Sequence, residues 1–198
     1  MQKIPYPDNS FDAVYAMEAT VHAPSLVSVY TEIFRVLKPG GRFGVHEQVM
    51  LSPAFDISNA RHIALRNGME RGNGIPCLRT SDEAQDAMKK AGFVLEAAED
   101  MADHNDPQPW WYFCAGGTEY AQGWKDWGRV VRMTGPGRVA FNILLKGLEA
   151  LRVVRQGTAV IAREMIRGAD CIAEAGRDRL FTPMFLMIGV KEALVNDH

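Results

Sequence analysis

Between residues 11 and 50 an apolar run, FDAVYAM, is followed by a helical stripe and then by a second apolar run, RFGVHEQVM. Only short turns separate the three. Two buried strands joined through one helix make a βαβ unit, which commits the chain to a parallel sheet and an α/β fold. Each run lacks the polar alternation of a half-solvated strand, as expected for a strand covered on both faces. Leu26, Val29, Tyr30, Ile33, Phe34 and Leu37 form the stripe of the intervening helix. Pro7, Asp8 and Asn9 mark a turn before the first strand. Pro24 stands near the helix start. Lys38, Pro39, Gly40 and Gly41 read as its stop, with Lys38 as the cation at the negative end.

Further along, TSDEAQDAMKKAGF predicts a helix opened by a Thr80–Glu83 capping box and ended at Gly92. VLEAAEDM and the C-terminal LFTPMFLMIGVKE predict two more strands. From Asp106 to Asp178 the character changes. This region opens on the aromatic DPQPWWYFCAGG and continues with helices near Val139–Val154 and Thr158–Ala175. It reads as an insertion before the last strand, so the expected organisation is a sheet domain over 1–105, a helical and aromatic lid over 106–178, and a final strand and tail over 179–198.

Composition excludes several classes. A formal charge of −2 gives no electrostatic case for nucleic acid. Cys77, Cys114 and Cys171 are scattered, with neither a disulfide framework nor metal-ligand spacing, so no metal and a reduced, cytoplasmic setting are expected. The N-terminus carries no signal-peptide core. The longest apolar stretch is broken by Lys146, Glu149 and Arg152, too charged to span a bilayer.

Ligands of open parallel sheets bind beyond the carboxyl ends of the strands. Glu18 and His22 follow the first strand, and His46 and Glu47 end the second. If the strands are neighbours, these groups converge on one crevice. His46, alone in a strand, reads more simply as a packed side chain. A nucleotide-binding sheet also needs a glycine-rich turn between its first strand and helix, with an acid about 20 residues on. KPGGRF, GNGIP, CAGGTEY and MTGPGR all lack that context. The chain therefore reads as the second half of a doubly wound fold.

The segments PYPDNSFDAVYAMEATVHAP, EIFRVLKPGGRFGVHEQV and GNGIP resemble the sterol C-24 methyltransferases, a class I family. PDNSFDAVY and EIFRVLKPGG are shared across the small-molecule methyltransferases of that class. YAMEATVHAP is similar to the sterol branch in particular, and PWWYF and LFTPMFL resemble its C-terminal domain. The resemblance implies a Rossmann-like sheet with a helical sterol-domain insertion before its last strand, and S-adenosylmethionine as cofactor. It implies methyl transfer to the side-chain alkene of a sterol or related triterpenoid. Glu18 and His22 would be catalytic. Ala16, Met17 and Val21 would lie at the methionine end of the cofactor and Gln2 near its adenine. Tyr15, Glu47, Trp110, Trp111 and Tyr112 would contact the acceptor. Asn73 stands where the family has an acid, which leaves room for another apolar acceptor such as a prenylated quinone or an amine. The family's glycine loop would precede Met1. The expectation is thus a truncated chain with part of the cofactor site, whose first strand lies at an open sheet edge and invites self-association. A non-catalytic fragment is the alternative reading. A sterol-like acceptor also allows peripheral membrane contact and oligomerisation.

Overall fold

The computed structural model describes residues 3–102, 107–121 and 123–193. They form two compact units, over 3–55, 76–102 and 181–193 and over 56–75, 107–121 and 123–180. The second unit thus takes in 56–75, a segment the sequence reading placed with the sheet.

In the first unit, strand β1 (Phe11–Met17) leads into a 3-10 turn (Thr20–His22), helix α1 (Leu26–Val36) and strand β2 (Leu37–Met50). β1 and β2 pair in parallel, with Met17 opposite His46. Along β2, Phe43, Val45, Glu47 and Val49 are buried, while the alternate Gly44, His46 and Gln48 are half-buried. The two faces of the strand therefore carry different chemistry. Tyr30 and Phe43 meet edge to face at 5.3 Å, and Phe34 and Phe93 at 5.0 Å.

The cation at the end of α1 is not Lys38. Lys38 pairs with Asp12 at 2.7 Å. Lys191, from the far end of the chain, donates to the carbonyls of Phe34 at 2.9 Å and Leu37 at 2.7 Å. Helix α1 ends at Val36, and Lys38 to Gly41 already belong to β2. Gly40, at φ +82°, turns the strand where its N–H meets the Lys191 carbonyl.

Strand β3 (Val94–Asp100) precedes the second unit's aromatic and helical stretch, and strand β4 (Phe181–Val190) follows it. The sheet order is β1-β2-β4-β3, with β4 antiparallel to both of its neighbours.

The second unit holds helix α2 (Ala60–Asn73), which its sequence does not announce. In the first unit, α3 (Ser81–Lys90) begins with both bonds of the expected capping box, Glu83 N–H to Thr80 Oγ1 and Thr80 N–H to Glu83 Oε2. The second unit continues with a short α4 (Tyr112–Ala115), then α5 (Trp124–Met133), α6 (Gly135–Ala150) and α7 (Thr158–Arg177). α2 packs on α7 by close backbone approach: a Cβ on Gly72 would lie 2.6 Å from the Gly168 Cα. Arg61 ties the pair together through Glu174 and Asp178.

Candidate functional site

The site begins where β1 ends. Glu18 takes a left-handed backbone, φ +48°, rare for a residue with a side chain. Its N–H donates to the His46 carbonyl at 2.8 Å, so the strand pairing extends to this point before the chain turns away. Such strain persists only where surrounding contacts hold it.

Glu47 supplies those contacts. Its Oε1 accepts from the Thr20 N–H at 2.7 Å and the Thr20 hydroxyl at 2.6 Å, and its Oε2 from the Val21 N–H at 3.2 Å. The Tyr30 hydroxyl stands 3.4 Å from Thr20 Oγ1. Glu47 is only 3% exposed. Desolvation pushes its carboxyl above the ordinary range, against the pull of its three hydrogen bonds, and the nearby Glu18 charge adds to the rise. Tyr30 is pushed up to about 12, chiefly by burial, with the Thr20 hydrogen bond opposing. The space beside Glu47, lined by Val21, Tyr30, Gln48 and Arg79, measures about 10 Å³, room for one water at most. The carboxylate faces the turn, not a substrate-sized cavity.

The parallel pairing brings the carboxyl ends of β1 and β2 together. On the half-buried face of β2, Gln48 donates to Glu18 Oε2 at 3.2 Å. His46 Nδ1 and Gln48 Oε1 are buried with no hydrogen-bond partner among the described residues. His46, which the sequence reading ranked last, thus holds an unused polar atom beside the strand end. Glu18 and His22, the two candidate catalytic residues, are both solvent-exposed, and the buried carboxylate of this region is Glu47. Tyr15, 81% exposed, and Met17 stand open on the edge strand. Ala16 is half-buried against the core, and Val21 is buried in the turn. Gln2 lies outside the described residues.

The aromatic residues belong to the second unit. A Cβ on Gly176 would come within 2.7 Å of both Trp110 and Trp111, so the two indoles lie directly on the last turn of α7. The Arg177 guanidinium sits 5.0 Å over the Trp111 ring. Tyr112 is placed differently. It lines a cavity of about 640 Å³ with Phe113, Lys125, Arg132 and Met133, a volume in the range of small-molecule sites. GNGIP forms the end of α2: Gly72 allows the approach of α7 and Gly74 caps the helix at φ +65°. Asn73 is exposed at the last helical position. Among the described residues no cluster of His, Cys, Asp or Glu could hold a metal, and no helix is long and apolar enough to cross a membrane.

Tyr30 and Gln48 escaped the sequence reading as site residues. The turn run itself signals Thr20. Tyr30 hides in the helix stripe, where its hydroxyl leaves no periodic trace.

Comparison with known proteins adds to this geometry. The family described as Sterol methyltransferase C-terminal matches residues 128–192, and Methyltransferase domain matches 1–45. The chain is 48% identical over 186 residues to sterol 24-C-methyltransferase erg-4 of Neurospora crassa, covering 94% of this chain and 49% of that protein. Identity to sterol 24-C-methyltransferase ERG6A of Gibberella zeae is 46%, covering 95% and 49%. A crystal structure of a putative sarcosine dimethylglycine methyltransferase from Galdieria sulphuraria aligns with TM-score 0.56 at 18% identity, covering 96% of this chain and 56% of that one. That likeness establishes the fold. The chain spans about half the length of the curated relatives it matches, is similar in sequence to sterol 24-C-methyltransferases over that half, and shares its fold with the methyltransferase structure it aligns to.

Proposed function

We propose that this chain carries the acceptor side of an enzyme that transfers a methyl group from S-adenosylmethionine to the side-chain alkene carbon of a sterol or related triterpenoid. The observation that carries the reading is the YAMEATVHAP turn. The most family-specific stretch of the sequence is braced from the next strand by Glu47, which binds Thr20 and Val21. Identity of 48% to a sterol 24-C-methyltransferase over nearly the whole chain supports the same acceptor. Asn73 does not redirect the reading, since it is an exposed residue in a helix cap.

The residues present fit the methionine end of the cofactor. At the carboxyl end of β1, where such sheets bind ligands, the chain turns through Glu18; the family resemblance supports assigning the Ala16–Met17 backbone and Val21 to the cofactor's methionine end. When bound, S-adenosylmethionine supplies an electrophilic methyl to the alkene carbon, leaving a carbocation that discharges by loss of a proton. Glu18 accepts that proton, oriented by the Gln48 amide. His22, four residues on in the same turn, is the second acceptor. Glu47 acts through the Thr20 and Val21 backbone as a positioning residue. Tyr15, exposed on the edge strand, supplies aromatic surface that tolerates positive charge and repels water.

The test uses Glu18→Gln and His22→Gln with a side-chain-unsaturated sterol. Glu18→Gln is expected to lower kcat by about 10²–10⁴ with cofactor affinity unchanged by calorimetry, and His22→Gln by less than about tenfold. Unaltered sterol turnover in Glu18→Gln would remove Glu18 from the chemistry. Absence of alkylated sterol from lipid extracts of cells making the intact enzyme, with a different lipid methylated, would remove the sterol.

A further inference from the structure

Helix α6 is built inside out. The side that meets α7 is its polar one: Arg138 pairs with Asp170 at 2.6 Å, Asn142 donates to the Ala159 carbonyl at 3.4 Å, and Glu149 Oε1 accepts from the Ala159 N–H at 2.8 Å. Leu145 is the buried apolar residue among them. On the opposite side Val139, Ile143 and Leu144 are exposed, with Ala140, Gly147 and Ala150 filling the gaps. A helix facing water shows the reverse pattern.

The apolar surface continues past the helix. Leu151 and Val153, 74% and 68% exposed, flank Arg152, whose φ of +58° is itself uncommon. Val160, Ile161 and Met165 open α7 in the same way. Exposed apolar side chains grouped in this way along one helix face, the turn after it and the start of the next helix mark an interaction site.

Charge identifies what covers it. The chain as a whole is slightly acidic, yet between 124 and 167 nine Lys or Arg stand against three Asp or Glu. Two of the three acids are already engaged, Glu149 by the Ala159 N–H and Glu164 by Arg167. Lys146, Arg152, Arg155 and Arg163 have no ion pair among the described residues. A second copy laid on this surface would bring like charges together. An apolar face rimmed by unpaired cations matches a bilayer whose headgroups are anionic.

We propose that the outward face of α6, with the turn at 151–155 and the start of α7, docks on an anionic lipid bilayer. The docking lies beyond the methyl-transfer reading and needs neither cofactor nor acceptor, so its failure and that of the reaction are separable. The experiment is co-sedimentation of the purified protein with phosphatidylcholine vesicles, with and without phosphatidylserine. Binding is expected with phosphatidylserine and is expected to weaken with salt. Ile143→Asp with Leu144→Asp is expected to reduce partitioning by at least about tenfold. Arg152→Glu with Arg155→Glu, on an exposed turn that leaves the fold intact, is expected to reduce it by about fivefold per charge removed at low salt. Unchanged thermal melting identifies the variants that remain folded. Equal partitioning of the folded arginine variant and the parent would overturn the proposal. So would no vesicle binding together with a dimer, seen by light scattering, that the aspartate variant dissolves.

Discussion

At the scale of single residues, Glu47 controls the site without facing it. The sequence places a carboxylate at the end of the second strand, and that position is correct. Which face it points to depends on alternation against neighbours whose burial the sequence does not show. Glu18 and His22 are easier to read, because they follow the end of a strand whose apolar run is unmistakable. Burial raises the Glu47 carboxyl above its ordinary value near 4.5. A carboxyl raised on folding holds its proton longer in the native state. Its contribution to stability is complete below the unfolded value and is lost as pH rises through the folded one. Glu47→Gln, which cannot ionise, is therefore expected to lose less stability than the parent as pH rises above the ordinary carboxylate range. Thermal melting over that rise in pH checks it. Parallel pH profiles for the two proteins would mean that Glu47 is not the titrating group.

The elements divide by how their sequences bury themselves. α1, β2, α3 and β4 bury large apolar side chains, β1 and β3 half-bury theirs (Phe11, Val14 and Leu95), and the periodicity of all six is legible. α2 escapes notice because Leu65 and Met69 are its only large buried side chains, and its packing is made by Gly68 and Gly72, which weaken a helix by propensity. Glycines that permit a close helix approach look, in sequence, like breaks. α5 escapes because, although Val130 is buried, Trp124, Trp127 and Val131 face outward and blur its apolar stripe. Two substitutions separate a packing glycine from an idle one. Gly168→Ala places a methyl 2.7 Å from the Gly72 Cα, backbone that cannot rotate aside. It is expected to destabilise the protein by about 1–3 kcal/mol. Gly147→Ala, on α6 with nothing within 4 Å, is expected to stabilise it by about 0.4–1 kcal/mol. Urea unfolding of both checks the pair; equal effects would mean that α2 and α7 are not closely apposed.

At the scale of the whole molecule, the open side of the sheet is what the sequence reading anticipated from its missing glycine turn. Among the described residues β1 pairs with β2 alone, and it stands at the sheet's edge in the order β1-β2-β4-β3. Native edge strands carry lysines, prolines or bulges that discourage pairing. β1 has one charged residue, Asp12, near its start, and beyond it Tyr15 and Met17 stand exposed and apolar. An edge of this kind accepts a further strand, from another part of a longer chain or from a second copy. The 198-residue chain on its own is therefore expected to self-associate. Tyr15→Lys places a cation on that edge without touching the core, since Tyr15 is 81% exposed. It is expected to shift the chain toward monomer in sedimentation velocity, with its melting temperature little changed. The vesicle-binding surface on α6 lies on the other unit and is unaltered by this substitution, so aspartates at Ile143 and Leu144 leave edge pairing intact. If those aspartates disperse the oligomer and Tyr15→Lys does not, the association runs through the helical face and the edge of β1 is not its cause.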